Sequence, residues 1–278
     1  GTRVIYSSKY IINVKAQMPL MDVSRLASVL TTLSSQGKNI TVISFGNYTV
    51  PGNATTYDVS GQGDKSIVAY VPTAMYGGWW WGVQNGTELR VTDTNRDMVA
   101  FASGNSICFK GGASDTSTVF DNIKTINFDA VDTTRVTSAA YAFYNMKSLT
   151  TITGLSRWDT SKITTMNSMF KGCTGLKSLD FSSFNTKNVT DFSSMMYGCT
   201  GLSKITVADT FATAYLPTPG FSTGFTYVSS KMGLTIAGNP SSALSSYNFT
   251  SDNRTVTYDT STASDDESDN EFPVSFRL

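Results

Sequence analysis

The chain has 278 residues, 40% of them hydrophobic and 12% aromatic, enough for one large domain or two small ones with a sizeable core. Its 21 Lys and Arg balance its 21 Asp and Glu, and histidine is absent. Neutrality excludes the positive field that nucleic acids and anionic membranes require. The missing imidazole excludes Ser-His-Asp and Cys-His catalysis, His-ligated zinc and histidine pH switching.

Charged residues make up only 15%, against about 25% in an ordinary soluble domain, so Ser, Thr, Asn, Gly and Tyr carry much of the polar surface. Such hydroxyl-rich composition suits extracellular β-rich proteins. No apolar run reaches the roughly 18 residues of a membrane helix. The start, Gly1-Thr2-Arg3-Val4, has no signal-peptide core, so the chain is either cytosolic or shorn of a leader.

In chain order, Val4–Tyr6 and Tyr10–Val14 read as strands. Met21–Leu33 reads as an amphipathic helix with Val23, Leu26, Val29, Leu30 and Leu33 on one stripe and Gly37 after its end. Ile40–Phe45 is a further strand, and residues 1–62 are expected to form an N-terminal α+β segment. Residues 63–122 carry short strands with Gly/Asn turns, a β-rich N-terminal cap leading into a solenoid. Within it Trp79-Trp80-Trp81 holds three of the four tryptophans. In a strand, Trp79 and Trp81 share one face, either as an exposed platform for a sugar or as a plug for an open core.

From residue 123 the sequence repeats. Ile123-x-x-Ile126-x-Phe128, Leu149-x-x-Ile152, Leu176-x-x-Leu179-x-Phe181 and Leu202-x-x-Ile205-x-Val207 recur. So do Met166-x-x-Met169-Phe170-x-Gly172-Cys173 and Phe192-x-x-Met195-Met196-x-Gly198-Cys199. Cys173 and Cys199 lie 26 residues apart, and Leu149 and Leu176 lie 27 apart, with Gly154 the extra residue. The Leu-x-x-Leu-x-Phe part alternates like a strand with one buried face, whereas the Met/Phe part steps by three and four like a helical stripe. Thr164 and Thr190 are placed to cap that short helix, and Gly172 and Gly198 to end it in a left-handed conformation. One unit cannot bury its own apolar faces, but stacked units can. The expectation is an α/β leucine-rich-repeat solenoid of about four coils, with parallel strands plus short helices, over residues 123–210.

The run from Asp159 to Thr186, Asp-Thr-Ser-Lys-Ile-Thr-Thr-Met-Asn-Ser-Met-Phe-Lys-Gly-Cys-Thr-Gly-Leu-Lys-Ser-Leu-Asp-Phe-Ser-Ser-Phe-Asn-Thr, resembles the BspA-type (DUF285-like) leucine-rich repeat of bacterial surface proteins. The likeness covers residues 123–207 and extends faintly to Tyr57–Tyr70. It implies a secreted or cell-surface protein that binds extracellular protein or glycan, with no catalytic residues and no cofactor to carry over.

Residues 211–278 read as a β-rich C-terminal cap. Leu216–Gly220 marks a turn-rich exit, Val256–Tyr258 and Val274–Phe276 read as strands, and Ser261–Glu271 as an acidic loop. The candidate binding residues are the outward positions of the repeat strands. One row is Thr125, Thr151, Ser178 and Lys204, and a second is Asn127, Thr153, Asp180 and Thr206. With Trp79 and Trp81 they make up the candidate site, against the alternative of a merely solvated face.

Cys173 and Cys199 share one repeat slot, which Met146 fills in an older copy, so they read as buried packing thiols and not as metal ligands. Asp58-Val-Ser60-Gly-Gln62-Gly63 opens like a calcium loop, but its twelfth position is Ala69 where a Glu is required. Paired carboxylates could in principle run glycoside hydrolysis without histidine, and Asp129, Asp132, Asp159 and Asp180 lie near strand ends, but nothing in the sequence elevates one pair over another.

Overall fold

The computed structural model describes residues 3–6, 11–14, 21, 23–35, 37–49, 79–84, 86–93, 97–105, 107–110, 117–208, 233–237 and 255–259. The strand expected at Val274–Phe276, the acidic loop, the exit at Leu216–Gly220 and the segment Tyr57–Tyr70 lie outside these residues.

The elements are β1 (Arg3–Tyr6), β2 (Ile11–Val14), α1 (Ser24–Ser35), β3 (Val42–Phe45), β4 (Trp79–Gln84), β5 (Glu88–Asp93), β6 (Val99–Ala100), β7 (Thr125–Phe128), β8 (Val131–Asp132) and β9 (Thr151–Thr153). A 3-10 turn, Leu155–Arg157, precedes β10 (Ser178–Phe181), β11 (Lys204–Ala208), β12 (Gly233–Ala237) and β13 (Thr255–Asp259). Two mainly parallel sheets dominate, in the orders β4-β5-β3-β7-β9 and β10-β11-β12-β13. Among the described residues only β1–β2 and β4–β5 pair antiparallel. The architecture is α/β-like with few helices, and no sheet closes into a barrel among the described residues.

The repeat sets the register. Thr125 pairs with Thr151, Ser178 with Lys204 and Asp180 with Thr206, so equivalent residues of successive copies stand side by side. Inward positions fill one continuous core: Ile126, Phe128, Leu179, Phe181 and Ile205 are all buried. Aromatic rings stack from copy to copy, Phe143 on Phe170 at 5.0 Å and Trp158 on Phe184 at 6.3 Å, with their planes within 12° of parallel.

The stack begins earlier than the sequence repeat suggests. Ile40-x-x-Ile43-x-Phe45 has the same pattern as Ile123-x-x-Ile126-x-Phe128, and β3 pairs in register with β7, Val42 to Thr125 and Phe45 to Phe128. Phe45 and Phe128 stack at 5.5 Å. The rest of this first copy returns only after an insertion carrying the β4–β5 hairpin, which continues the sheet on the other edge of β3. Phe109 then fills the slot of Phe143, and its amide bonds to Ala142 O as that of Phe143 bonds to Met169 O. The stripe of α1 (Leu26, Val29, Leu30 and Leu33) and Val23 just before it are buried in the same core. Beyond β11 the parallel ladder continues through β12 and β13, where the sequence repeat has already faded.

The Met/Phe stretches correct one expectation. They are successive turns, and α1 is the only α-helix among the described residues. Alternate amides explain why. Those of Tyr141, Phe143 and Asn145 donate to carbonyls of the next copy (Asn167, Met169 and Lys171), while those of Ala142, Tyr144 and Met146 donate three residues back. Ser168, Phe170 and Gly172 repeat the arrangement towards Ser193, Met195 and Tyr197. Left-handed residues recur in each copy, Tyr141 and Asn145, Ser168 and Gly172, Ser194 and Gly198, which interrupts any helix every fourth residue. Thr164 and Thr190 accordingly cap nothing. Their hydroxyls donate to the carbonyls of Thr137 and Thr164 in the preceding copy.

Candidate functional site

Outward side chains on the two sheets form the rows the alternation requires. In the first sheet Thr151 stands beside Thr125 and Thr153 beside Asn127. In the second, Ser178 stands beside Lys204 and Asp180 beside Thr206. Thr151, Ser178, Asp180 and Lys204 are exposed and Thr206 is half-buried. Trp79 and Trp81 lie in β4, an edge strand paired antiparallel to β5, Trp79 opposite Asp93 and Trp81 opposite Val91. Their side chains lie outside the described residues.

The first sheet carries a directional polar relay. Thr153 Oγ1 donates to Asn127 Oδ1 at 2.8 Å, Asn127 Nδ2 to Ser44 Oγ at 3.0 Å, and Ser44 Oγ to Glu88 Oε1 at 2.7 Å. Arg90 Nε lies 3.2 Å from that same carboxylate oxygen, a charge contact without hydrogen-bond alignment. The Arg90 guanidinium also sits 4.9 Å above the Tyr48 ring, and Tyr48 OH donates to Asp129 Oδ2 at 2.5 Å. Burial, reinforced by that hydrogen bond to a carboxylate, holds the Tyr48 phenol well above its ordinary range. Tyr48 is therefore a donor at all physiological pH values, not a base. Sequence reasoning missed Ser44, Tyr48, Glu88 and Arg90. The Ile40-x-x-Ile43-x-Phe45 pattern was the one signal for them, because it places Ser44 beside Asn127.

Four further carboxylates serve the backbone. Asp132, Asp159, Asp180 and Asp191 each accept the amide two residues on, from Thr134, Ser161, Ser182 and Ser193. Hydrogen bonds from Ser161 pull the Asp159 carboxyl below its usual range. A carboxylate held ionised by local donors is a poor general acid. The thiols are equally committed. Cys173 and Cys199 are buried, and each donates to the carbonyl of the preceding copy's phenylalanine, Phe143 at 2.9 Å and Phe170 at 3.0 Å. Burial pushes Cys199 up to about 12 and Cys173 well above its ordinary value.

The rows are not continuous across the molecule, which corrects the simple alternation reading. β9 and β10 are neighbouring repeat strands but belong to different sheets. Between them opens a cleft of about 250 Å³, lined by Ile152, Gly154, Leu155 and Ser156 on one wall and by Ser178, Leu179, Asp180, Ser182 and Ser183 on the other. Two of the outward residues singled out from sequence, Ser178 and Asp180, thus share a concavity, while Thr151 and Lys204 flank it on the open face.

A family model described as a Mycoplasma protein of unknown function, DUF285, matches residues 114–213, about a third of the chain. That model describes the BspA-like repeat family, to which these residues are similar. The match begins shortly before β7 and ends just past β11, so it spans the stacked copies and the cleft but not β3, β4 or β5. No curated protein and no solved structure matches the chain. Among the described residues no helix is long and apolar enough to cross a membrane.

Proposed function

We propose that the chain is a non-enzymatic bacterial leucine-rich-repeat protein, secreted or displayed at the cell surface, that binds an extracellular protein or glycan. On this reading the stacked copies make a solenoid and the outward face of β7, β9, β10 and β11 is its binding surface. The observation that carries the reading is in-register pairing on the outward face, of exposed Thr151 with Thr125 in one sheet and of exposed Ser178 with Lys204 and Asp180 with Thr206 in the other. It builds two short rows of polar side chains on a shared core, the kind of surface that repeat proteins present to partners. The commitment of Asp129, Asp132, Asp159, Asp180 and Asp191 and of the Cys173 and Cys199 thiols to backbone and neighbouring groups supports a binding role over a catalytic one.

The test is binding of the whole chain to immobilised extracellular-matrix proteins and to a glycan array. Binding weakened at least tenfold by Asp180→Ala with Lys204→Ala is the expected result. Absence of binding to both classes would overturn the proposal. A second reading makes the β4 edge strand a carbohydrate platform through Trp79 and Trp81. Glycan binding lost in Trp79→Ala but kept in Asp180→Ala would favour it.

A further inference from the structure

We infer that the cleft between β9 and β10 is a binding site for one uncharged sugar ring, the terminal unit of a glycan. The inference rests on the outward face being a binding surface and names its substrate class. The cleft is a consequence of one extra residue. The neighbouring copies have a single residue between their apolar strand positions, Ile126-x-Phe128 and Leu179-x-Phe181, but the middle copy has two, Ile152-Thr153-Gly154-Leu155. Gly154 takes the surplus in a left-handed conformation, with φ of 76°. It packs so closely on the first sheet that a Cβ there would stand 2.1 Å from Phe128 O. The strand therefore stops after Thr153, and the 3-10 turn drops Leu155, 6% exposed, into the slot that phenylalanine fills elsewhere.

The opening is local. Just before the strands the same two copies are in tight contact, because a Cβ on Gly175 would stand 2.7 Å from Leu149 O. On the far side the turn ladder runs on without a gap, through the bridges Ser138 to Thr165 to Asp191. Two copies clamped at both margins and spread only at β9 and β10 make a preformed concavity, which costs a ligand no reorganisation.

Its chemistry is that of a polyol site. Half-buried Ile152 offers apolar surface to the C–H face of a ring, and the buried Leu155 and Leu179 form the floor behind it. Ser156 and Ser178 offer hydroxyls that both donate and accept, and Asp180 offers a carboxylate. Asp180 Oδ1 is fixed by the Ser182 amide at 2.9 Å, which orients the group so that it can take two hydroxyls of a vicinal diol. The lining holds one negative charge and no cation, which disfavours sialylated and sulfated units. At about 250 Å³ the cleft is smaller than the roughly 300–1,000 Å³ of drug-sized sites, so it suits one ring and not an oligosaccharide. An added peptide strand fits less well, because the 3-10 turn already lies against β10 and β9 offers only three residues of edge.

The experiment is methyl-detected NMR on the whole chain, following Ile152, Leu155 and Leu179 during titration with the methyl glycosides of glucose, galactose, mannose and N-acetylglucosamine. Saturable shifts are expected with at least one glycoside, at a dissociation constant of about 1 mM. Asp180→Asn, which retains an acceptor for the Ser182 amide, should weaken binding about tenfold, the loss of one charge-assisted hydrogen bond. Ser178→Ala should weaken it several-fold. Silence of the three methyls towards all four glycosides overturns the inference, and so do shifts that neither substitution alters. Shifts produced by N-acetyl-lysine methylamide in place of sugars also overturn it, by assigning the cleft to a basic side chain. Matrix-protein binding by the same preparation is read separately, so failure of the cleft and failure of the binding surface are distinguishable.

Discussion

At the residue scale, the copies lie so close that a hydrogen atom is all some positions allow. A Cβ on Gly201 would stand 2.3 Å from Thr174 O, whereas one on Gly198 would meet nothing closer than 3.7 Å. Gly201→Ala must push two copies apart, and Gly198→Ala only imposes a left-handed alanine, at φ of 77°. Chemical denaturation should show Gly198→Ala costing about 1 kcal/mol and Gly201→Ala more than that, about 2–3 kcal/mol. Equal costs would mean that the copies are looser than these distances imply. The buried thiols give a pH signature. A free thiol titrates near 8.5, but Cys199 is pushed up to about 12 because its thiolate would be stripped of water. The native state therefore keeps a proton that the unfolded chain releases. This stability is fully present below about pH 8.5 and is lost as pH rises towards the native value. Denaturant midpoints measured from pH 8 to 10 should fall in the wild type, and fall less steeply in Cys199→Ala.

At the scale of elements, buried hydroxyls tie each copy to the backbone of the next. Thr160, 1% exposed, donates to Asn185 O at 3.0 Å and accepts the Asn185 amide at 2.8 Å. Thr160→Val keeps the shape and removes both part-buried bonds, which at about 0.5–1.5 kcal/mol each should cost about 1–3 kcal/mol in urea unfolding. This coupling explains which elements the sequence could reveal. Strand and register followed from Leu-x-x-Leu-x-Phe, since alternation reports a buried face directly. The stripe of α1 was legible because four apolar residues, Leu26, Val29, Leu30 and Leu33, share one side of an uninterrupted helix. The Met-x-x-Met-Phe stretch misled because successive turns and a short helix bury the same positions. What separates them is the destination of alternate amides, which belongs to the neighbouring copy. The cleft was half legible: the 27-residue spacing gave the extra residue at Gly154, but only the packing of that glycine on Phe128 shows that it parts the sheet. The polar relay was hidden because its members, Ser44 and Asn127, come from strands separated by a long insertion.

At the scale of the whole molecule, the break between β9 and β10 poses a question of cooperativity. The two sheets share no strand pairing, so hydrogen bonding at the outward face does not couple them. The core does, because Phe170 packs on Phe181 at 5.7 Å and Trp158 lies flat on Phe184 at 6.3 Å, both contacts crossing between the copies that carry β9 and β10. The turn ladder adds continuous amide-to-carbonyl bonds along the opposite margin, through Phe143 to Met169 and Phe170 to Met195. In a stack of this kind stability is the sum of each copy and its interfaces, and an interface stronger than its copies makes them open together. Native-state hydrogen exchange should therefore find the amides of Ile126 in β7 and Leu179 in β10 protected by the same opening free energy. Phe170→Ala removes the ring that spans the gap and should cost about 3–5 kcal/mol, and it should do so unevenly. Leu179, in the sheet that begins beyond the gap, would lose protection first, and Ile126, still stacked on β3 through Phe45 and Phe128, would retain more. Equal loss at both amides would mean that the turn ladder alone couples the sheets. Unequal protection in the wild type would mean that the gap already divides the molecule into two cooperative units.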